Sequence, residues 1–75
     1  MKIVSCNLNG IRSAHRKGFF DWYRKQRCDV LCIQELKAQE DQIDTESMFS
    51  NSVYSYFKCA KKKGYSGVSI HTKVK

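Results

Sequence analysis

The chain has 75 residues, of which 41% are hydrophobic and 28% are charged, and it contains no proline. This composition suits a small globular piece and excludes a disordered tail, and the length allows at most one domain. No apolar run approaches the roughly 20 residues that span a bilayer, so no membrane association is expected.

The net charge of +7 is unevenly distributed along the sequence. Residues 1–34 carry seven basic and two acidic side chains, residues 35–46 one basic and five acidic, and residues 47–75 six basic and no acidic ones. Basic blocks attract phosphate backbones, although a solvated surface gives the same pattern. The charge therefore leaves a nucleic-acid partner and an ordinary soluble surface as equal alternatives.

The N-terminus and the cysteines bear on the cellular compartment. The first residues contain no long apolar stretch and no small-residue cleavage site, which argues against a secretory signal and favours the cytosol. The four cysteines form no CxxC pair, and only two histidines could join them in a metal site, which argues against zinc. We therefore expect free thiols, with Cys6, Cys28 and Cys32 in apolar surroundings.

The first half of the chain predicts a βαβ unit. Lys2–Cys6 reads as a strand that ends at the turn-prone sequence Asn-Leu-Asn-Gly, followed by a polar, basic connection over Arg12–Gly18. Phe19–Arg27 is predicted as a helix because aromatic residues recur at helical spacing. Asp29–Gln34 is predicted as a strand, and its continuous apolar run is typical of a strand that is covered on both faces. Such a unit pairs its two strands in parallel.

The second half predicts a β-hairpin after a long connection. Leu36–Ser52 is polar and acidic, and we expect a loop with a short helix near Gln39–Ile43. Tyr54–Ala60 and Val68–Lys73 are predicted as strands that are joined by a basic, glycine-bearing loop over Lys61–Gly67. The fold class is therefore α/β, a βαβ unit followed by a hairpin. Because the sequence stops just past a strand, we expect residues 1–75 to be part of a larger domain.

Polar side chains at the ends of the two parallel strands are the candidates for chemistry. Glu35 follows the buried strand, and Asn7 and Asn9 follow its neighbour. Ligand sites in open α/β sheets lie at the carboxyl ends of strands, so one carboxylate and two amides could converge there. Mg²⁺ takes oxygen ligands and is often held by one or two carboxylates plus phosphate, a site suited to phosphodiester hydrolysis. The alternative is a solvated strand end whose asparagines only form the turn.

Basic residues flank these candidates. Lys37 lies two residues after Glu35 and could point the same way, adding positive charge beside a bound phosphate. Arg12 follows the asparagine turn directly. The run of three lysines at 61–63, with the nearby Tyr65, could grip a phosphate backbone. Each of these residues could equally be an ordinary surface side chain.

Three segments together resemble one family. The opening KIVSCNLNGIR, the stretch DVLCIQELK and the segment GYSGVSIHTK are similar, in order and spacing, to motifs of the exonuclease III / AP endonuclease family. The resemblance covers nearly all 75 residues. The GYSGV segment in particular separates DNA-directed members from the lipid phosphatases and sphingomyelinases of the wider superfamily.

The resemblance implies a fold of two packed mixed β-sheets with helices outside, of which this chain would be the N-terminal part. It implies incision of double-stranded DNA 5′ to abasic sites, repair of damaged 3′ ends and 3′→5′ exonuclease activity, with Mg²⁺ as cofactor and Mn²⁺ able to substitute. A cytoplasmic, bacterial enzyme with no obligate protein partner is expected.

The resemblance also implies roles for individual residues. Asn7 and Glu35 would belong to the catalytic centre, with Glu35 as the metal carboxylate and Asn9 near the metal, acting through bound water. The resemblance implies DNA-backbone contacts for a further set, namely Arg12, Lys37, Gly64 and Tyr65.

The sequence is shorter than the sequences of the family. The family motifs that orient and activate the attacking water have no counterpart in these 75 residues. Neither His15 nor His71 lies in a matching motif. We therefore expect the 75 residues to be inactive alone. A non-catalytic remnant that binds nucleic acid remains the alternative, and a superfamily hydrolase acting on a phosphoinositide or nucleotide is disfavoured by the GYSGV segment.

Overall fold

A computed structural model describes residues 1–49, 52–62 and 65–73. The elements in chain order are β1 (Ile3–Asn7), α1 (Ile11–Arg16), α2 (Phe19–Gln26), β2 (Val30–Gln34), a 3₁₀ turn (Glu40–Gln42), α3 (Thr45–Met48), β3 (Tyr54–Lys58) and β4 (Val68–Thr72). No helix in these ranges has the length and apolar character needed to cross a membrane.

The strands form one mixed sheet in the order β1-β2-β4-β3. β1 and β2 run parallel, whereas β4 is antiparallel to both β2 and β3. The predicted α/β class, the parallel βαβ pair and the later hairpin are confirmed, and the strand boundaries agree within two residues. The parallel pairing matters for function because it brings the carboxyl ends of β1 and β2 to the same edge of the sheet.

Two helices differ from the sequence expectation. The stretch predicted as a polar connection, Arg12–Gly18, instead contains most of α1, because buried Ile11 anchors the helix in the core. The connection was predicted from its polar composition, and six residues are too few to show a periodic pattern. The predicted loop over 36–52 also contains α3, which Asp44 caps by accepting a hydrogen bond from the Ser47 backbone N–H at 3.4 Å.

The helices and the connection after β2 cover one face of the sheet. The fully buried side chains on this side come from the helices, from β2 and from the connection after it, and the largest are Phe20, Ile11, Leu31, Ile33, Leu36 and Met48. The other face carries apolar side chains that are 44–61% exposed: Ile3, Tyr54, Tyr56, Val68 and Ile70. Val30 and Cys32 on this face are only half-buried. The prediction that β2 is covered on both faces is therefore wrong within the described residues.

A polar cluster lies inside the covered side of the sheet. His71 of β4 is 1% exposed, and its Nε2 and Nδ1 atoms hydrogen-bond to the hydroxyls of Ser69 at 2.7 Å and Ser55 at 2.8 Å. Its ring stacks on Phe49 with centroids 3.9 Å apart. Burial lowers the pKa of His71 to about 4, so the ring is neutral at pH 7. Neutrality and complete pairing make this cluster part of the core.

The cysteines are free thiols, as predicted. Cys28 is buried, whereas Cys6, Cys32 and Cys59 are half-buried. Burial raises the pKa of Cys6, with the neighbouring Cys28 and Cys32 thiols adding to the effect. Within the described part of the chain, no group of three or more His, Cys, Asp or Glu side chains could hold a metal ion.

Candidate active site

The candidate site forms where β1 and β2 end side by side. Asn7 pairs with Gln34 in the parallel register, so the residues that follow each strand are neighbours. Backbone hydrogen bonds continue beyond the strands, from Leu8 N–H to the Gln34 carbonyl at 3.1 Å and from Gly10 N–H to the Glu35 carbonyl at 2.9 Å. The sequence prediction that the asparagines and Glu35 lie at one edge of the sheet is confirmed.

Three residues at this edge adopt left-handed backbone conformations. Asn9, Glu35 and Lys37 have φ angles of 48°, 55° and 52°. Asparagine visits this region readily, but glutamate and lysine do so at a cost of about 1 kcal/mol or more each. Glu35 and Lys37 flank Leu36, whose side chain is fully buried. Because this backbone would not persist by itself, the surrounding structure must hold it.

A hydrogen-bond network connects the polar side chains of these residues. The Asn7 side-chain amide donates to Glu35 Oε2, and Asn7 Oδ1 accepts the Asn9 backbone N–H at 3.0 Å. The Lys37 ammonium donates to Asn9 Oδ1 and lies 3.9 Å from Glu35 Oε1. The Glu35 and Lys37 side chains are 40% and 41% exposed. We call these four residues, Asn7, Asn9, Glu35 and Lys37, the strand-end cluster.

The strand-end cluster fits a divalent cation of the Mg²⁺ type. Asn7 occupies one carboxylate oxygen of Glu35, while Oε1 faces Lys37 and solvent. The donors are oxygens of one carboxylate and of two amides, which is the chemistry that Mg²⁺ accepts while keeping several waters. A single carboxylate leaves the remaining positions to water and to phosphate oxygens. A cation at this position would therefore need an anionic ligand or further protein groups in addition to Glu35.

A cationic cavity adjoins this cluster. It has a volume of about 360 Å³ and is lined by Gly10, Arg12, Ser13, Arg16 and Lys37. Three of these residues are basic, and both arginines are exposed. A cavity of this charge suits phosphate groups, which guanidinium groups bind through paired hydrogen bonds. Arg12 and Lys37 thus lie where the sequence placed them, and Arg16 joins them from the next turn of α1.

Another cavity of about 330 Å³ lies away from the strand ends. Its lining includes the carboxylates of Glu40 and Glu46 and the side chains of Phe49 and Phe57. The two carboxylates would repel a phosphate backbone. The cationic cavity is therefore the better candidate for an anionic substrate.

The GYSGV segment reaches the strand-end cluster through its backbone. The carbonyls of Ser66 and Gly67 accept the N–H groups of Lys37 at 2.7 Å and Leu36 at 3.1 Å. Tyr65, next in the chain, is 57% exposed, and its ring lies 4.6 Å from the Lys62 ammonium. Tyr65 is thus available to an external ligand. Gly64, the other predicted DNA contact in this segment, lies outside the described residues.

Sequence reasoning missed the residues that hold this site together. Leu36 was predicted only as the start of a loop, and Ser66 and Gly67 only as loop residues within the GYSGV segment. The signal that could have identified Gly67 is its residue type, because a φ of 95° favours glycine. The two histidines, which lie in no matching motif, are not part of the strand-end cluster. His71 is in the core, and His15 packs its ring edge against Phe20.

The fold and the strand-end cluster define an α/β protein with hydrogen-bonded polar side chains at the strand ends beside a cationic cavity. The chain belongs to the Endonuclease/Exonuclease/phosphatase family, whose model matches residues 4–75. An exodeoxyribonuclease of Bacillus subtilis is 36% identical over 74 residues, which are 97% of this chain and 28% of that protein. The predicted membership of the exonuclease III / AP endonuclease group is thereby confirmed.

Solved structures of AP endonucleases share the fold. The Xenopus laevis APE2 catalytic domain superposes with a TM-score of 0.74 at 40% identity, covering 96% of this chain and 23% of that one. An AP endonuclease from Archaeoglobus fulgidus gives 0.81 at 27% identity, covering 97% and 27%. The chain spans about a quarter of the length of these relatives. It therefore represents only part of the structure that they contain.

Proposed function

We propose that this chain is the N-terminal part of a Mg²⁺-dependent DNA-repair nuclease that cleaves double-stranded DNA at abasic sites and shortens 3′ ends. The observation that carries the proposal is the position of Glu35, whose carboxylate accepts a hydrogen bond from the Asn7 side-chain amide at the strand ends beside the cationic cavity. The family and the names of its relatives, exodeoxyribonuclease and AP endonuclease, support the same class of reaction.

Each residue of the site has a role in this proposal. Glu35 would hold the ion, with Asn9 acting through bound water, and Mg²⁺ when bound stabilises the charge that develops on phosphate oxygens. Asn7 donates to one oxygen of Glu35 and fixes the direction of the other. Lys37 and Arg12 bind the DNA backbone on the cavity side, and Tyr65 contacts the same strand from the opposite loop.

The isolated 75 residues are proposed to be inactive because we identify no group among the described residues that could activate water. His71 is buried and hydrogen-bonded through both ring nitrogens, and His15 of α1 lies against Phe20 of α2. The other carboxylates of the acidic block 40–46 line a different cavity or lie on the surface. Activity is therefore expected only from the complete protein that carries this sequence.

The test is incision of an abasic duplex by the complete protein over a range of Mg²⁺ concentrations. Glu35→Gln should lower the rate by a factor of about 10² or more, since residues that merely orient a metal ligand are already worth roughly 10- to 100-fold. Glu46→Gln is the matched control, because it removes an exposed carboxylate from the same acidic block away from the site. Full activity of Glu35→Gln at limiting Mg²⁺ would refute the metal role.

The alternative function is nucleic-acid binding without cleavage. The cationic cavity favours it, since Arg12, Arg16 and Lys37 could bind a phosphate backbone without a metal. Binding of duplex DNA by the 75-residue chain should then weaken steeply with salt, with no cleavage at any Mg²⁺ concentration. Incision by the complete protein together with weak, salt-insensitive binding by the short chain would exclude this alternative.

A further inference from the structure

We infer that Gly67 is a positioning residue for the metal carboxylate, an inference that rests on the proposed function and names a residue through which the site is held. Because glycine has no side chain, Gly67 acts through its backbone. Its carbonyl accepts the N–H of Leu36, the residue between Glu35 and Lys37, at 3.1 Å. The adjacent Ser66 carbonyl accepts the Lys37 N–H at 2.7 Å.

The need for such support follows from the backbone of residues 35–37. Glu35 and Lys37 both have left-handed φ angles, which side-chain-bearing residues adopt only when neighbouring structure imposes them. Support from the other side comes from Gly10 and Ile11, whose N–H groups donate to the Glu35 and Leu36 carbonyls at 2.9 Å each. Leu36 is therefore hydrogen-bonded from two sides at once, by Gly67 and by Ile11 at the start of α1. Removing either of these hydrogen bonds would free the segment to relax toward ordinary φ angles.

Gly67 is suited to this task by its backbone conformation. Its φ of 95° lies in the region that favours glycine. A Cβ on Gly67 would lie 3.4 Å from Leu36 Cβ and 3.5 Å from the Lys58 carbonyl oxygen. An alanine there is strained by its φ angle, and relief of that strain would rotate the carbonyl away from the Leu36 N–H. The displacement would pass directly to Glu35 and Lys37, which flank Leu36.

The chain offers a matched control for backbone strain. Gly18, between α1 and α2, has a φ of 90°, and a Cβ added there would meet nothing within 4 Å. Gly18→Ala and Gly67→Ala therefore place alanine at similar φ angles, but only the Cβ at position 67 would lie against Leu36. Any difference between the two variants at the strand-end cluster reports positioning rather than general destabilisation.

The experiment compares wild type, Gly67→Ala and Gly18→Ala in the complete protein by two readouts. The first is metal-free hydrogen exchange of the Leu36 and Lys37 amides, which should accelerate about tenfold or more in Gly67→Ala only. The second is the midpoint of a calorimetric titration with Mg²⁺ alone, which should rise about tenfold in Gly67→Ala only. If Gly67→Ala fails to fold, Gly67→Asn takes its place, because asparagine tolerates left-handed φ, and it should give a smaller shift of the same sign.

The outcomes separate this inference from the proposed function. Unchanged exchange at residues 36–37 in Gly67→Ala overturns the inference, and so does accelerated exchange with an unchanged Mg²⁺ midpoint. Equal effects of Gly18→Ala and Gly67→Ala also overturn it, because both would then reflect stability alone. If wild type binds no Mg²⁺, the metal part of the proposed function fails, and the exchange readout still decides whether Gly67 holds the segment.

Discussion

The two polar clusters of this chain differ in exposure, charge and backbone conformation. The buried cluster, Ser55, Ser69 and His71, is enclosed by aromatic rings, and both histidine nitrogens are hydrogen-bonded. The strand-end cluster carries two charges, about 40% exposed, on left-handed backbone. Both clusters are hydrogen-bonded, so pairing alone does not identify a functional site.

Charge and backbone strain make the difference. Neutral hydroxyls and a neutral ring inside the core cost little once paired, and no buried side-chain N or O atom in the described residues lacks a partner. Glu35 and Lys37 instead keep their charges near water in conformations that the rest of the structure must impose. We therefore expect changes in the buried cluster to alter stability and changes in the strand-end cluster to alter ligand binding.

The largest effect on stability is expected from His71→Ala. The change leaves a cavity against Phe49 and strips the Ser55 and Ser69 hydroxyls of their partner. Aromatic-to-alanine changes in cores cost about 3–5 kcal/mol, and unpaired polar groups add to this. Urea unfolding of the complete protein would measure the loss, and the Mg²⁺ midpoint of the protein that remains folded should not change.

His15→Ala is the control for removing a histidine. His15 is half-buried and meets Phe20 only by its ring edge, with centroids 5.6 Å apart. Its loss should cost about 1 kcal/mol. A His71→Ala variant no less stable than His15→Ala would show that the buried cluster does not support the core.

The pH dependence of stability is the next largest expected effect. Burial lowers the pKa of His71 from 6.5 to about 4, so the unfolded chain binds a proton more readily than the folded one. The free energy of unfolding should therefore fall as pH drops from about 6.5 to 4, by about 3 kcal/mol from this residue. Above pH 6.5 the ring is neutral in both states and its contribution is constant.

His71→Leu isolates this contribution. The groups that face the ring are the hydroxyls of Ser55 and Ser69 and the rings of Phe49 and Phe57, none of which titrates in this range. The variant should be less stable at pH 7, yet its stability should vary less between pH 6.5 and 4 than that of wild type. Parallel pH profiles for the two proteins would place the titration elsewhere.

The sequence was sufficient for the sheet and for the convergence of Asn7, Asn9 and Glu35. Alternating or continuous apolar residues mark the strands, and a parallel βαβ unit places strand ends together by topology alone. The buried cluster was not predictable as a whole, because nothing in the sequence near His71 shows that Ser55 of the neighbouring strand will face its ring. The backbone hydrogen bonds that hold Leu36 were likewise not predictable, since they join residues about 30 positions apart and involve no side chain.

Helix α1 and the exposed sheet face were missed for different reasons. α1 is short and polar, and the buried Ile11 that anchors it is a single residue, which no periodicity can reveal. The apolar run in β2 predicted burial on both faces, but only the helix-covered face is packed within the described residues. Pattern therefore showed which side chains can be buried, whereas the extent of burial depends on what packs against them.

Asn7→Ala should give the smallest change in stability and the clearest separation of the two clusters. Asn7 donates to Glu35 at an exposed position, so its loss should cost about 1 kcal/mol or less in unfolding free energy. The Mg²⁺ midpoint should nevertheless rise roughly tenfold, because Glu35 is no longer oriented. Gln34→Ala is the matched control, since Gln34 pairs with Asn7 in the sheet and donates to Ser5 Oγ at 3.2 Å without contacting the carboxylate. A rise in the Mg²⁺ midpoint as large in Gln34→Ala would mean that the edge of the sheet, rather than the Asn7–Glu35 contact, determines binding.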